Sequence, residues 1–215
     1  MSKIRPEVVK RESETIILSV GGQICDWLPV LDYTNKLRSI ESVSRRALVL
    51  CAMLQIYFGA PIERINYWLE QNSLSDELAD SEREILALDD SDISEQQRIN
   101  LYWSIEALWA LVWVGSLIDA LPFDLPVQNS LASLCPNFQQ YEDGAKFAQS
   151  MQLRSYDDLF QMCDLYYRVH WWTRNAQLQG TNTGDVSIDI IMERRKALEW
   201  VMSPDCEWDS VELNT

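Results

Sequence analysis

Apolar residues recur along this chain at three- and four-residue spacing, and no stretch alternates apolar with polar at the two-residue period of a strand. The pattern predicts a first helix from Pro6 to Val20, opened by proline and stopped by Gly21-Gly22. Trp27 to Leu31 reads as an extended stretch laid across the domain. A second helix starts near Ser39 with Glu41 in its first turn and runs to Phe58, with Val43, Ala47, Leu50, Leu54 and Tyr57 as its apolar stripe. A shorter one follows from Pro61 to Gln71. Ser94-Glu95-Gln96-Gln97 has capping-box form and opens a long apolar helix, about 95–119, that ends before Leu121-Pro122. Pro122 to Pro136 reads as irregular with a short helical turn. Ser155 to Asp158 opens the next helix, which runs to Gln179. Gly180 to Gly184 is a linker, Asp185 caps the last helix, and Pro204 stops it. The tail from Glu207 to Thr215 carries Trp208 and is expected to fold back onto the body.

These elements predict an all-α fold: a single-domain orthogonal or irregular bundle of about seven to nine helices around the central apolar helix. Residues 1–38 form the N-terminal helix and arm, 39–202 the core and 203–215 the tail. Leu101 to Ile118 is long enough to raise the question of a membrane span. Glu106 in its middle, Ser104, Ser116 and flanks without a Lys/Arg cluster argue instead for a buried helix. Nine Trp and eight Tyr supply large buried rings, so the core does not depend on disulfides or metal.

The chain carries 33 acidic and 18 basic residues, a net charge of −15. Such a field repels phosphate backbones and anionic membranes and attracts a basic protein or a cation. Nine carboxylates and one base, Arg83, lie between Asp76 and Glu95, around Ile85-Leu86-Leu88. The segment reads as a solvated face, and Asp76, Glu77, Asp80, Glu82, Glu84, Asp89, Asp90 and Asp92 are the candidates for contact with a partner. The five cysteines are scattered and never spaced C-x-x-C, as in a reducing compartment. The N-terminal MSKIRPEVVKRESETI has no apolar signal segment, which points to the cytoplasm.

Helical wheels place several polar residues where apolar ones belong. Glu106 sits among Tyr102, Ala110, Trp113 and Leu117. Arg194 falls in the centre of the Ile190, Ala197, Leu198, Val201 stripe, with Glu193 at its edge. Leu159, Cys163 and Tyr166 share a face with His170 and, to one side, Arg174. Arg46 borders the Val43/Leu50 stripe. Asp164, Arg168 and Asn175 lie opposite, on the solvated side. An unpaired buried charge is costly, so a buried network should join Glu106 to at least one of Arg194, Arg174 and Arg46, with His170 and Glu193 nearby. The favoured reading is structural. The other is a site in which Glu106 or Glu193 is a base, His170 an acid or base, and the arginines hold an anion. No G-x-G-x-x-G, G-x-x-x-x-G-K-[ST], G-x-S-x-G or H-E-x-x-H occurs. One histidine and few inward carboxylates make a metal site a poor fit, and no cofactor is expected.

Arg45-Arg-Ala-Leu-Val-Leu50, Trp103 with Glu106-Ala-Leu and Trp113, Tyr167-Arg-Val-His-Trp171 with Arg174, Glu193-Arg-Arg-Lys-Ala-Leu-Glu-Trp200 and Trp208-Asp-Ser-Val211 occur in that order. Together they resemble the bacterial domain-of-unknown-function family 4272, from about Val9 to the C-terminus. The chain departs from the family pattern at Ser104, where an arginine would precede Glu-Ala-Leu, and at Asn214-Thr215, where the family ends in Asp-Thr. The resemblance implies a helical bacterial cytoplasmic domain and no activity, since the family has none assigned. It singles out Glu106, His170, Arg174, Glu193 and Arg194 and adds Arg168, which the wheel leaves on the wet side. Arg168 could stack on Trp171 or Trp172, or reach Asp164 one turn back.

Three functions fit. The first is a non-catalytic interaction protein, of immunity or antitoxin type, whose acidic face covers a basic toxin. The second is a small-anion-binding or hydrolytic enzyme built on the Glu/Arg/His cluster. The third is a subunit of a larger assembly. The expected partner is a protein, neither nucleic acid nor membrane, and the oligomeric state does not follow from the sequence.

Overall fold

Three of the long helices begin where a serine supplies an acceptor for first-turn N–H groups. In the computed structural model, which describes residues 4–215, Ser39 caps α2 (Ile40–Tyr57) by accepting from Ser42 N at 3.1 Å. Ser94 caps α5 (Glu95–Val114) through a complete capping box: its Oγ accepts from Gln97 N at 3.2 Å, and Gln97 Oε1 accepts from Ser94 N at 2.9 Å. Ser155 caps α8 (Tyr156–Gln179) by accepting from Asp158 N at 3.2 Å. The others are α1 (Pro6–Ser19), α3 (Ile62–Gln71), α4 (Asp80–Leu86), α6 (Leu131–Leu134), α7 (Ala145–Ser150) and α9 (Ile188–Met202). The described residues contain no strand, and the protein is all-α. Residues 1–3, the start of the expected N-terminal arm, lie outside the described residues.

Two helix ends differ from expectation. α5 stops at Val114, not near residue 119. The chain closes a Schellman motif there: Leu117 N donates to Val112 O at 3.0 Å and Ser116 N to Trp113 O at 2.9 Å. The left-handed position is taken by Ser116 (φ 58°), so the glycine that normally marks such a stop is displaced by one residue. Gly115 is needed for space instead, because a Cβ there would collide with Met151. The exposed carbonyls of the α5 end are covered from outside, by Gln152 N on Gly115 O at 2.8 Å and Arg154 Nε on Trp113 O at 2.6 Å. α9 starts at Ile188, three residues beyond Asp185, which does not cap it. Residues 183–186 form a turn instead, in which Thr183 Oγ1 donates to Val186 O at 2.7 Å and Val186 is buried.

The packing follows from which helices are apolar on more than one side. α5 is buried continuously from Glu106 to Val114 and lies between α2 and α9. α9 in turn lies between α5 and α8, and α8 carries α1 on its other side. Across the molecule the order is therefore α1, α8, α9, α5, α2, with α3 and α7 outside α2. The extended stretch after α1 lies over α8: Leu28 and Cys25 pack on Tyr167, and Lys10 Nζ donates to Leu28 O at 2.7 Å. Trp208 in the tail is buried edge-on against Trp200, with the Arg46 guanidinium 4.7 Å from its ring. No helix among the described residues is long and apolar enough to cross a membrane.

Candidate functional site

α9 presents two successive arginines, and its position between α5 and α8 buries both, Arg194 at 0% and Arg195 at 2% exposure. Residues one apart on a helix point about 100° from each other, so they enter different environments. Arg194 faces α5. Its Nε and Nη2 donate to Glu106 Oε2 at 2.8 and 2.6 Å. Nη1 donates to Pro122 O at 2.6 Å and Tyr166 Oη at 3.2 Å, and Nη2 also to Leu125 O at 2.8 Å. All five guanidinium donors are thereby engaged. The other carboxylate oxygen of Glu106 accepts from Val127 N at 2.9 Å. The pair thus serves as a clamp that fastens the irregular segment 122–127 to α5 and α9, supplying the hydrogen bonds that its backbone lacks. Tyr166 beside it is pushed up to about 12, chiefly by burial.

Arg195 faces α8. Nη1 lies 2.6 Å from His170 Nδ1, Nε donates to Glu199 Oε1 at 2.6 Å, and the guanidinium stacks 4.8 Å from the Tyr167 ring. Its remaining donors meet the tail, Asn214 O at 3.0 Å and Leu213 O at 3.4 Å. Burial, reinforced by Arg195 and Arg174, pulls His170 down to about 4. The ring is therefore neutral at pH 7. Since Arg195 can only donate, His170 Nδ1 accepts and its proton sits on Nε2. Burial pushes the Glu199 carboxyl up, opposed by Arg195. Glu193, half-buried on α9, is also pushed up by burial, with Lys196 opposing and Asp189 and Glu106 adding to the shift.

Two more buried pairs lie outside α9. Arg168 meets Asp164 in a two-pronged contact, 2.8 Å on each arm, with both side chains almost fully buried. This corrects the wheel, which placed both in solvent. α1 and the arm cover that face of α8: Arg168 Nη2 donates to Pro29 O at 3.0 Å, and Nη1 lies 3.8 Å from Glu14 Oε1. Arg46 is buried against Glu82 and donates to Glu77 O at 3.1 Å. Asp209 then fixes the α4 N-terminus by accepting from Ser81 N at 2.9 Å.

Of the sequence-flagged residues, Glu106 and Arg194 meet directly. Arg46 pairs with Glu82 instead, and Arg174 is exposed, reaching Thr215 Oγ1 at 3.4 Å. His170 belongs to the neighbouring cluster. Arg195, Glu199 and Asp164 were missed as members. Arg195 and Glu199 sit four apart on one helix, a spacing that signals a pair. In the acidic segment Asp76, Asp80, Glu84, Asp89, Asp90 and Asp92 are exposed. Glu82 departs from the expected solvated face because Arg46 draws it inward, and half-buried Glu77 is held by Arg45 at 2.7 Å.

The principal cavities lie elsewhere. One of about 670 Å³ opens between α2, α5 and the 127–142 segment. Another of about 810 Å³ is bordered by Tyr67, Trp68 and Tyr141. Neither is lined by Glu106, His170, Arg174, Glu193 or Arg194. No group of three or more His, Cys, Asp or Glu side chains among the described residues is arranged to hold a metal ion.

Residues 9–211 match the model of a family described as a domain of unknown function, DUF4272, and the chain belongs to that family. Comparison with curated proteins and with solved structures gave no match.

Proposed function

We propose that the protein is a non-catalytic interaction module that receives a basic surface of a protein partner on its carboxylate-rich segment. The observation that carries this reading is a division of labour among its charges. Buried Arg46, Arg168, Arg194 and Arg195 each meet a carboxylate, and Arg194 and Arg195 also meet backbone carbonyls. Exposed carboxylates occur along the whole chain, and they crowd most closely on one run, at Asp76, Asp80, Glu84, Asp89, Asp90 and Asp92, where Arg83 is the one base. A field of that sign steers cationic partners and repels nucleic acid and anionic lipid. A bacterial cytoplasmic immunity or antitoxin role, covering the basic face of a toxin, is the form of this reading that suits a net charge of −15. The alternative, an anion-binding or hydrolytic site on the Glu/Arg/His set, has less support. The donors that an anion would use on Arg195 already meet Glu199, His170 and the tail carbonyls.

The test is capture from a host extract at rising ionic strength, with wild type and a variant in which the six exposed carboxylates become Asn or Gln. The amide at position 90 preserves the acceptor that Asp90 offers to Ile62 N. A basic polypeptide retained by wild type, released as salt rises beyond about 0.15 M and lost on the variant, supports the reading. Binding indifferent to both salt and neutralisation overturns it.

A further inference from the structure

Cys51 lies buried in the middle of α2, and Cys135 is the half-buried C-cap of α6. The sequence separates them by 84 residues, yet their sulfurs are 3.0 Å apart. Both line the 670 Å³ cavity between α2, α5 and the 127–142 segment, which leads from solvent to the pair on the side of the less buried Cys135. The lining is apolar and amide, with Leu54, Ile105, Gln128 and Asn137 among it, and Glu142 is its only charged side chain. Such a wall admits a small neutral molecule, while the net charge of −15 disfavours anionic thiol reagents.

We propose that Cys51 and Cys135 form a redox site that is oxidised to a disulfide by a neutral hydroperoxide entering this cavity. The roles follow from exposure. Cys135, the less buried of the two residues, attacks the hydroperoxide: the O–O bond breaks, an S–O bond forms, and the departing oxygen leaves as alcohol or water with the Cys135 proton. Cys135 is then a sulfenic acid. Burial holds the Cys51 thiol well above its usual range, so it stays protonated and unreactive until that neighbour appears. Its sulfur attacks Cys135, the S–O bond breaks, and water departs with the Cys51 proton as the S–S bond forms. Two thiols and one hydroperoxide give one disulfide, one alcohol (or water) and one further water. The result is a covalent tie between α2 and the irregular 115–144 connection. Otherwise that connection rests on contacts such as Arg194 with Leu125 O, Arg64 with Phe138 O at 2.5 Å and Trp68 Nε1 with Glu142 O at 2.9 Å.

The native folded chain is exposed to a small excess of hydrogen peroxide, alkylated and mapped by peptide mass spectrometry. Half-buried Cys206, whose Sγ lies 3.4 Å from Glu207 O, serves as an internal reference. The expected result is a Cys51–Cys135 linked peptide, a mass lower by two hydrogens and loss of two of the five thiols, all reversed by dithiothreitol, before Cys206 is consumed. In Cys51→Ala the link is absent, and Cys135 stops at a sulfenic acid trapped by dimedone. The proposal is overturned if both cysteines remain alkylatable when half of Cys206 has been oxidised, or if the link forms only in urea. Because the wild-type chain carries the decisive measurement, a poorly folding variant does not remove the test.

Discussion

Arg194 and Arg195 are adjacent on α9 and equally buried, yet they are stabilised in different ways. Arg194 is matched by a buried carboxylate, three acceptors from neighbouring segments and a connection of the chain that is fastened by them. Arg195 is matched by a half-buried carboxylate, a neutral imidazole and carbonyls of the last residues of the chain. The first environment is built from α5, α8, α9 and the 122–127 segment, all packed in the core. The second is completed by carbonyls of Leu213 and Asn214, which lie outside any helix. Equal burial therefore hides a difference in what supplies the acceptors, core elements for Arg194 and the terminal segment for Arg195.

The sharpest break of this comparison removes one member of the Arg194 clamp. Glu106→Ala leaves a buried guanidinium without its anion and segment 122–127 without one anchor, and the expected loss is about 3–5 kcal/mol. Urea unfolding measures it. The double substitution Glu106→Met with Arg194→Met should recover a substantial part of that loss, because well-packed apolar groups replace buried ion pairs at little cost. A double variant as unstable as the single one would show that the bonds to Pro122, Leu125 and Val127 matter more than charge pairing.

The Arg195 side predicts a smaller change. Deleting Leu213–Thr215 removes two carbonyl acceptors and should lower stability by about 1–2 kcal/mol. It also opens the cluster to water, so the His170 pKa should rise from about 4 toward its ordinary 6.5, measured by NMR titration of the chain's only histidine. An unmoved pKa would place the cause of the shift in Arg195 and α8 rather than in the tail.

What the sequence revealed of these two sites depended on how many sides of a helix are covered. Glu106 and Arg194 stand on stripes that are apolar on their own helices, so both were legible as misplaced charges, while the partner of Glu106 stayed open among Arg194, Arg174 and Arg46. Arg195 was not legible, because a wheel with one apolar stripe assumes one buried side, and α9 has two. Asp164 and Arg168 were misplaced for a related reason. Their side of α8 is wet for an isolated helix and becomes dry only when α1 and Pro29 lie over it, a contact 139 residues apart in sequence. The serine caps of α2, α5 and α8 were local and legible. The end of α5 was not, since Ser116 takes the left-handed position usually given to glycine.

Acid sharpens the comparison further. A folded-state His170 pKa of about 4 lies below the unfolded 6.5, so its contribution is complete above pH 6.5 and is lost as pH falls toward 4. Glu193 and Glu199, both raised, act in the opposite sense and stabilise as pH falls toward the ordinary carboxylate range. Subtracting the curve of His170→Asn, whose amide oxygen can still accept from Arg195, isolates the histidine. The difference should be about 2 kcal/mol between pH 7 and 4, after a discount for residual solvent screening. A flat difference would mean that the His170 pKa is the same in the folded and unfolded chains, so that burial and Arg195 do not depress it.

The smallest expected effect separates two glutamates that influence each other across the α5–α9 boundary. Glu106→Gln weakens a charge-assisted pair and should destabilise at pH 7. Glu193→Gln removes a carboxylate that burial disfavours and that repels Glu106, so the same chemical change should stabilise, by no more than about 1 kcal/mol. The gain should fade below the ordinary carboxylate pKa, where Glu193 is protonated in both folded and unfolded chains. Opposite signs for these two substitutions in thermal melts at pH 7 would show that proximity to the clamp does not make a carboxylate part of it. Equal losses would make Glu193 a working member of the clamp and extend it across α9.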